Sequence, residues 1–359
     1  MDASLFEETE LAHLQQIFTQ HAIYSFGRST FPDGSPLYSS LALRAAEDKE
    51  ILRLVLYTST KRHRPNTLFA AVQYLLFNEV SDELVAFYPN LTPEPRPPEE
   101  AYPSFRAFCL KHADEIRRLV TNYGVQTNEV GRCSDLVLAF DRVAQLGGDR
   151  SLAMLELGAS AGLNMLWDHY GYDYGVAGYI GNRAAPVQLR CELRGDILPP
   201  LPQAMPVVIW RMGIDLNPID VHDEGAARWL RALVWPEHRD RAQRLEAAIA
   251  MARQHHLSIV AGDAVDRLPE VLAQVPAEAT LCIYHSYAMN QTPEPVRERI
   301  FAQIADAAKT RELFRVSEEW YNEMPQAELE LFWYRSNEMQ HEKLAECQGH
   351  GRWMKFVAP

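Results

Sequence analysis

The chain lacks any apolar run approaching the ~20 residues a bilayer span requires. Its five cysteines, Cys109, Cys133, Cys191, Cys282 and Cys347, form no CxxC pair. That removes the usual ligand spacing of a zinc site and fits a reducing compartment. Scattered singly, they read as small buried hydrophobes. Positive charge is in deficit: 35 Lys and Arg stand against 48 Asp and Glu, giving a formal net charge of −13. A general binder of nucleic-acid backbones would need the opposite balance. The opening residues, Met1-Asp2-Ala3-Ser4-Leu5-Phe6-Glu7-Glu8, are acidic, unlike a secretory or transit signal. No internal repeat recurs, which argues against a solenoid. The expectation is a cytoplasmic protein without a membrane, nucleic-acid or metal partner, acting on a small-molecule substrate. What remains is ordinary globular material, 359 residues of which 47% are hydrophobic, enough for one large domain or two.

Two textures divide the chain. Residues 1–150 read as an N-terminal helical region, with apolar residues at three- and four-residue spacing over 8–22, 37–56, 67–77, 103–123 and 135–146. A proline-rich stretch at 88–98 breaks that pattern and reads as an extended connector. Residues 151–359 instead alternate short apolar runs with helical pattern. Strands are expected at 152–157, 207–214, 257–260, 280–284 and 313–317, and helices at 163–170, 225–234, 239–255, 266–274 and 295–309. Such alternation implies an α/β fold with a mostly parallel sheet covered on both faces. Two further runs, 328–335 and 352–357, are expected to close it as an antiparallel pair, giving seven strands.

In such a sheet a ligand lies outside the carboxyl ends of the strands, where strand order reverses. The first strand ends in Glu156-Leu157-Gly158-Ala159-Ser160-Ala161-Gly162-Leu163-Asn164. Small residues in that turn, with a helix start behind them, can turn backbone N–H groups toward a carboxylate or phosphate. The second strand ends in Asp215, suited to ribose hydroxyls. The third ends in Asp263-Ala264, suited to an adenine amino group. The fourth ends in Tyr284-His285-Ser286-Tyr287, facing the same crevice.

These four strand ends resemble the Rossmann-like S-adenosylmethionine-dependent methyltransferases over about 150–359. The resemblance implies a seven-stranded methyltransferase-type sheet and S-adenosylmethionine as cofactor. Glu156, Gly158, Ser160, Gly162 and Asn164 would lie at its methionine end, Asp215 at its ribose and Asp263 with Ala264 at its adenine. His285 and Ser286 would line the transfer site. Two departures stand out. Ser160 replaces the usual middle glycine, and Asp215 follows Gly158 by 57 residues rather than ~20, so about 171–206 must be an insertion. The whole chain is also similar to a bacterial family known as a domain of unknown function, DUF2332. The similar stretches are Ser35-Pro36-Leu37-Tyr38, Gln126-Thr127-Asn128-Glu129-Val130-Gly131-Arg132, the Glu156–Asn164 loop, 213–218 and Gly262-Asp263-Ala264.

Outside the loop, Gln126, Asn128, Glu129 and Arg132 form a dense polar group that either caps a helix or contacts substrate. Asp168 falls on the helix face of Asn164, as a substrate contact or a plain surface acid. Glu129 and His285 are the candidate bases if the acceptor must lose a proton. His285 also reads as a core histidine, and Asp215 and Asp263 as turn caps. Three other activities stay open. Asp215 could serve a nicotinamide cofactor in hydride transfer. A degenerate fold could bind a ligand or partner without catalysis. Gly158-Ala159-Ser160-Ala161-Gly162 also has the letters of a hydrolase nucleophile elbow, although such a serine follows several strands rather than the first.

Overall fold

A computed structural model describes residues 3–27, 34–58, 64–79, 81–321, 324, 326–335 and 338–357. The chain forms two compact units, one of 1–127 with 223–243 and the other of 128–222 with 244–359.

The first unit is helical. Its helices span Ala3–Gly27, Pro36–Ala45, Lys49–Arg53, Arg64–Leu76, Tyr102–Lys111, Ala113–Asn122 and Glu224–Ala232. Leu14, Phe18, Leu41, Ile51, Phe69, Val72, Phe105, Leu119 and Trp229 pack in its core. The expected helix at 37–56 is broken because Asp48 starts a new one. Its carboxylate accepts the amides of Glu50 (3.0 Å) and Ile51 (3.3 Å). The expected helix at 103–123 likewise divides at His112.

The second unit is a layered α/β fold. Its strands are β1 (Leu152–Leu157), β2 (Gly171–Asp173), β3 (Tyr179–Gly181), β4 (Gln188–Arg190), β5 (Glu192–Leu193) and β6 (Val208–Asp215). They continue as β7 (Ile259–Ala261), β8 (Thr280–Ser286), β9 (Leu313–Glu319), β10 (Ala327–Arg335), β11 (Glu338–Cys347) and β12 (Trp353–Phe356). The main sheet has nine strands in the order β5-β12-β11-β10-β9-β8-β1-β6-β7. The expected seven are all present. The sheet gains β5 from the insertion and β11, whose polar sequence hides it. The expected closing pair is corrected accordingly: β11 lies antiparallel to both β10 and β12 and separates them. Residues 171–206 also hold a separate sheet, β3-β2-β4.

β7, β6, β1, β8 and β9 are parallel neighbours. Numbered by their appearance in the chain they run 3-2-1-4-5, so the order reverses between β1 and β8. One face carries the Cys133–Leu146 helix, with Phe140 against Tyr284 at 5.0 Å between ring centroids. The other carries the Ala264–Leu272 and Glu294–Ala307 helices through Val265, Leu268, Ile300 and Ile304. Because the Cys133–Leu146 helix belongs to the sheet, the helical region ends at Thr127 rather than near 150, and it takes back 223–243.

Candidate functional site

The loop after β1 sits at the reversal point and is wound tightly. Gly158, Ser160 and Gly162 have φ of 78°, 54° and 70°. At Gly158 a side chain is excluded twice, since a Cβ would lie 2.5 Å from that of Ala288. The loop's amides are turned inward. Gly158 and Ala159 donate to the Ile214 carbonyl (2.8 and 3.3 Å), and Gly162 donates to that of Ala159 (2.7 Å). The Ser160 amide donates to Asp215 Oδ2 (2.8 Å) and that of Leu163 to Asn128 Oδ1 (2.9 Å). The anion-facing row of N–H groups expected of this turn is therefore not formed. The segment that follows, Leu163–His169, is a 3₁₀ turn instead of the expected α-helix.

Registered residues of parallel neighbours share a face. Glu156 pairs with Tyr284, and Ser286 with Glu318, so all four point toward the Cys133–Leu146 helix. Glu156 is buried and accepts from the Tyr284 hydroxyl (3.2 Å). Burial pushes its carboxyl up to about 8, against the Tyr284 and Asn164 hydrogen bonds and with help from Asp215. Glu318 is also held up near neutral by burial: its carboxyl rises to about 8, opposed by Arg132 and the Ser286 hydroxyl. Ser286 donates to its Oε2 (3.1 Å), while Oε1 is enclosed with no hydrogen-bond partner among the described residues. Asp135, on the covering helix, is raised by burial and by Glu318, and its Oδ2 is likewise unpartnered.

Arg132 is the cation of this face. It donates to the carbonyls of Gly349 (2.9 Å) and Ser286 (3.4 Å) and lies 4.1 Å over the Tyr287 ring. Glu129 caps the turn before it by accepting the Gly131 amide (3.0 Å), and pairs with His350 at 3.4 Å. Two buried carboxyls raised to about 8, Glu156 and Glu318, with the raised Asp135 and one guanidinium beside them, can store and exchange protons at physiological pH. Among the described residues no three His, Cys, Asp or Glu side chains are placed to hold a metal ion.

His285 does not join them. It pairs with Leu157 and Ser317 on the opposite face and is fully buried. Its Nδ1 meets Glu319 Oε1 at 2.8 Å and its Nε2 meets Arg315 at 3.2 Å. Burial lowers its pKa, against the pull of Glu319. Glu319 also accepts the amides of Ala288 (3.1 Å), Met289 (2.9 Å) and Asn290 (3.0 Å). Arg315 lies between the rings of Phe301 (4.2 Å) and Phe332 (3.9 Å). The expected base is thus a structural histidine with both ring nitrogens engaged.

A family profile described as an uncharacterised protein conserved in bacteria, DUF2332, matches residues 20–356. The chain belongs to the DUF2332 family. No curated protein and no solved structure matches it.

The other expected site residues of this DUF2332 chain have separate positions. Asp215 braces the β1 loop and accepts the Asn217 amide (2.8 Å). Asp263 caps the Ala264–Leu272 helix by accepting the Val265 amide (2.8 Å), with Ala264 as its first residue. Asp168 is held by Arg211 in a two-pronged pair, both bonds at 2.8 Å. That occupies it as an ion pair instead of leaving a free substrate contact. Asn164 lies beside Cys133 (3.5 Å) and Glu156, and Gln126 belongs to the helical unit. Sequence reasoning missed Asp135 and Glu318. Their signals were slight: an acid at the third position of a helix, and two acids directly after an apolar strand.

Proposed function

We propose that this DUF2332 chain is an S-adenosylmethionine-dependent methyltransferase acting on a small or medium acceptor. The observation that carries the reading is the bonding of the loop at the reversal point. Its amides are spent inside the protein, and the acids around it leave nothing to hold a pyrophosphate. A dinucleotide is therefore disfavoured there, whereas a phosphate-free, positively charged adenosine derivative suits strand ends that carry Glu156, Asp215 and Asp263. When bound, that cofactor supplies an electrophilic methyl group.

The protein's own part is alignment and the exclusion of water. Glu156 and Asn164 would orient the methionine end. Asp215, at the end of β6, would take the ribose. Ser286, Arg132 and Asp135 would border the acceptor. Where the acceptor must lose a proton, Glu318 would receive it at its unpartnered Oε1, a role that Glu129 and His285 are too heavily engaged to fill.

Calorimetry on the full chain tests this. S-adenosylmethionine and S-adenosylhomocysteine are expected to bind, Glu156→Gln to weaken both by roughly tenfold, about 1.4 kcal/mol, and NADH to give no heat. Absence of binding by both sulfur compounds would refute the reading, as would clear binding of NADH.

A further inference from the structure

The helical unit contains a second group of enclosed polar atoms, unrelated to the sheet. Its origin is the stretch Ser35-Pro36-Leu37-Tyr38. Ser35 caps the Pro36–Ala45 helix by accepting the Tyr38 amide (3.1 Å), and the Leu37 amide donates to Glu237 Oε1 (2.9 Å). That bond draws a carboxylate to the helix start. Its other oxygen, Oε2, is enclosed without a hydrogen-bond partner among the described residues. The hydroxyls of Tyr38 and Tyr88 are enclosed and unpartnered too, on residues that are 2% and 0% exposed. The two rings meet edge to face at 6.4 Å, Trp235 lies 6.1 Å from Tyr38, and Phe69 stacks on Tyr38 at 4.5 Å.

Buried hydroxyls and carboxylates nearly always have partners, so three orphans around one aromatic cluster require an explanation. Burial raises both phenols, and Glu237 contributes to each, so the three groups feel one another. Burial raises the Glu237 carboxyl, against the Ser35 hydroxyl and backbone amides, and among the described residues no cation contributes to the shift. Water could satisfy the hydroxyls, but it would leave the carboxylate's charge uncompensated in a low-dielectric interior. The complement of one carboxylate, two phenol oxygens and aromatic rings is a cation that donates hydrogen bonds and tolerates π faces.

We infer that the Tyr38–Tyr88–Glu237 nest of the helical unit binds a small organic ammonium ion. Its N–H groups would donate to Glu237 Oε2 and the two phenol oxygens, with Tyr38 and Trp235 as its aromatic walls.

The test uses the full chain, titrated with methylammonium and tetramethylammonium chloride and followed by calorimetry and tryptophan fluorescence. Sodium chloride at matched ionic strength and tert-butanol serve as controls for salt and for uncharged bulk. Methylammonium, which carries N–H donors, is expected to bind saturably, while tetramethylammonium, which carries none, and both controls leave the chain unchanged. Glu237→Gln should weaken binding by roughly tenfold or more, and Tyr38→Phe or Tyr88→Phe by several-fold. Both phenylalanine variants should fold with an unchanged or higher Tm, because each loses an unsatisfied hydroxyl. No binding of methylammonium would overturn the inference, as would equal binding of tetramethylammonium, an equal response to tert-butanol or affinities unmoved by the substitutions. If Glu237→Gln does not fold, the two phenylalanine variants decide.

Discussion

Glu318 and Glu319 are consecutive residues of β9, both buried, and they point to opposite faces of one sheet. On the face covered by the Ala264–Leu272 and Glu294–Ala307 helices, Glu319 accepts three backbone amides and contacts His285. It fixes the chain just after β8. On the face covered by the Cys133–Leu146 helix, Glu318 has one hydroxyl donor and a bare oxygen, near an equally incomplete Asp135. The first arrangement spends its polar groups on holding the fold. The second leaves them available, and polar groups left available inside a protein concentrate where ligands or protons are handled.

The two faces should separate in the cost of removing their acids. Glu319→Ala strands His285 and the amides of 288–290 in the interior and is expected to cost roughly 3–5 kcal/mol. Glu318→Gln, which replaces a raised carboxyl whose Oε1 has no partner among the described residues, should change stability by less than about 1 kcal/mol or raise it. Urea unfolding of both variants measures the gap. Equal losses would erase the distinction between a structural and a functional face.

The faces also separate by pH. Glu156 and Glu318 rise from an ordinary 4.5 to about 8 in the folded chain. The native state therefore keeps protons that the unfolded chain releases above the lower value. Their stabilising contribution is complete below about 4.5 and is lost as pH climbs to about 8, at about 1.4 kcal/mol per pH unit for each carboxyl. Urea midpoints taken across that window should fall with rising pH. Glu156→Gln and Glu318→Gln should each flatten the slope, and a slope identical to wild type in both would contradict the assignment of raised carboxyls.

Much of this was legible because apolar runs bounded by acids or glycines mark parallel strands well. β1, β6, β7, β8 and β9 lie where the sequence places them, and so does the loop at the reversal point. What was hidden depended on register and on polarity. Nothing in the order Tyr284-His285-Ser286 tells which residue shares a face with Glu156; only the pairing of β1 with β8 selects Tyr284 and Ser286 and rejects His285. Asp135 reads as an acid favoured near a helix start, and its burial comes from the sheet beneath. β11 escaped because Glu338-Met339-Gln340-His341-Glu342-Lys343 carries no apolar alternation, its partners β10 and β12 supplying the order. Asp168 looked free because Arg211, its partner, arrives from a strand 43 residues later.

The finest version of the contrast lies in the β1 loop. The Ser160 hydroxyl is another enclosed group without a partner among the described residues, on a residue in the left-handed region at φ 54°. Its amide is fixed by Asp215, so the side chain is held in place by a bond it does not itself make. If that hydroxyl serves only the fold, removing it should cost stability. If it is an unfilled site group, Ser160→Ala should leave the chain unchanged or stabilise it by up to about 1 kcal/mol. Ser160→Gly should add relief of the left-handed strain, partly offset by the greater backbone entropy of glycine. Thermal unfolding of the pair separates the two contributions. Calorimetry with S-adenosylmethionine should show the opposite order, with Ser160→Ala binding several-fold more weakly than wild type. A loss of stability in Ser160→Ala would make the hydroxyl structural and return the loop to the company of Glu319.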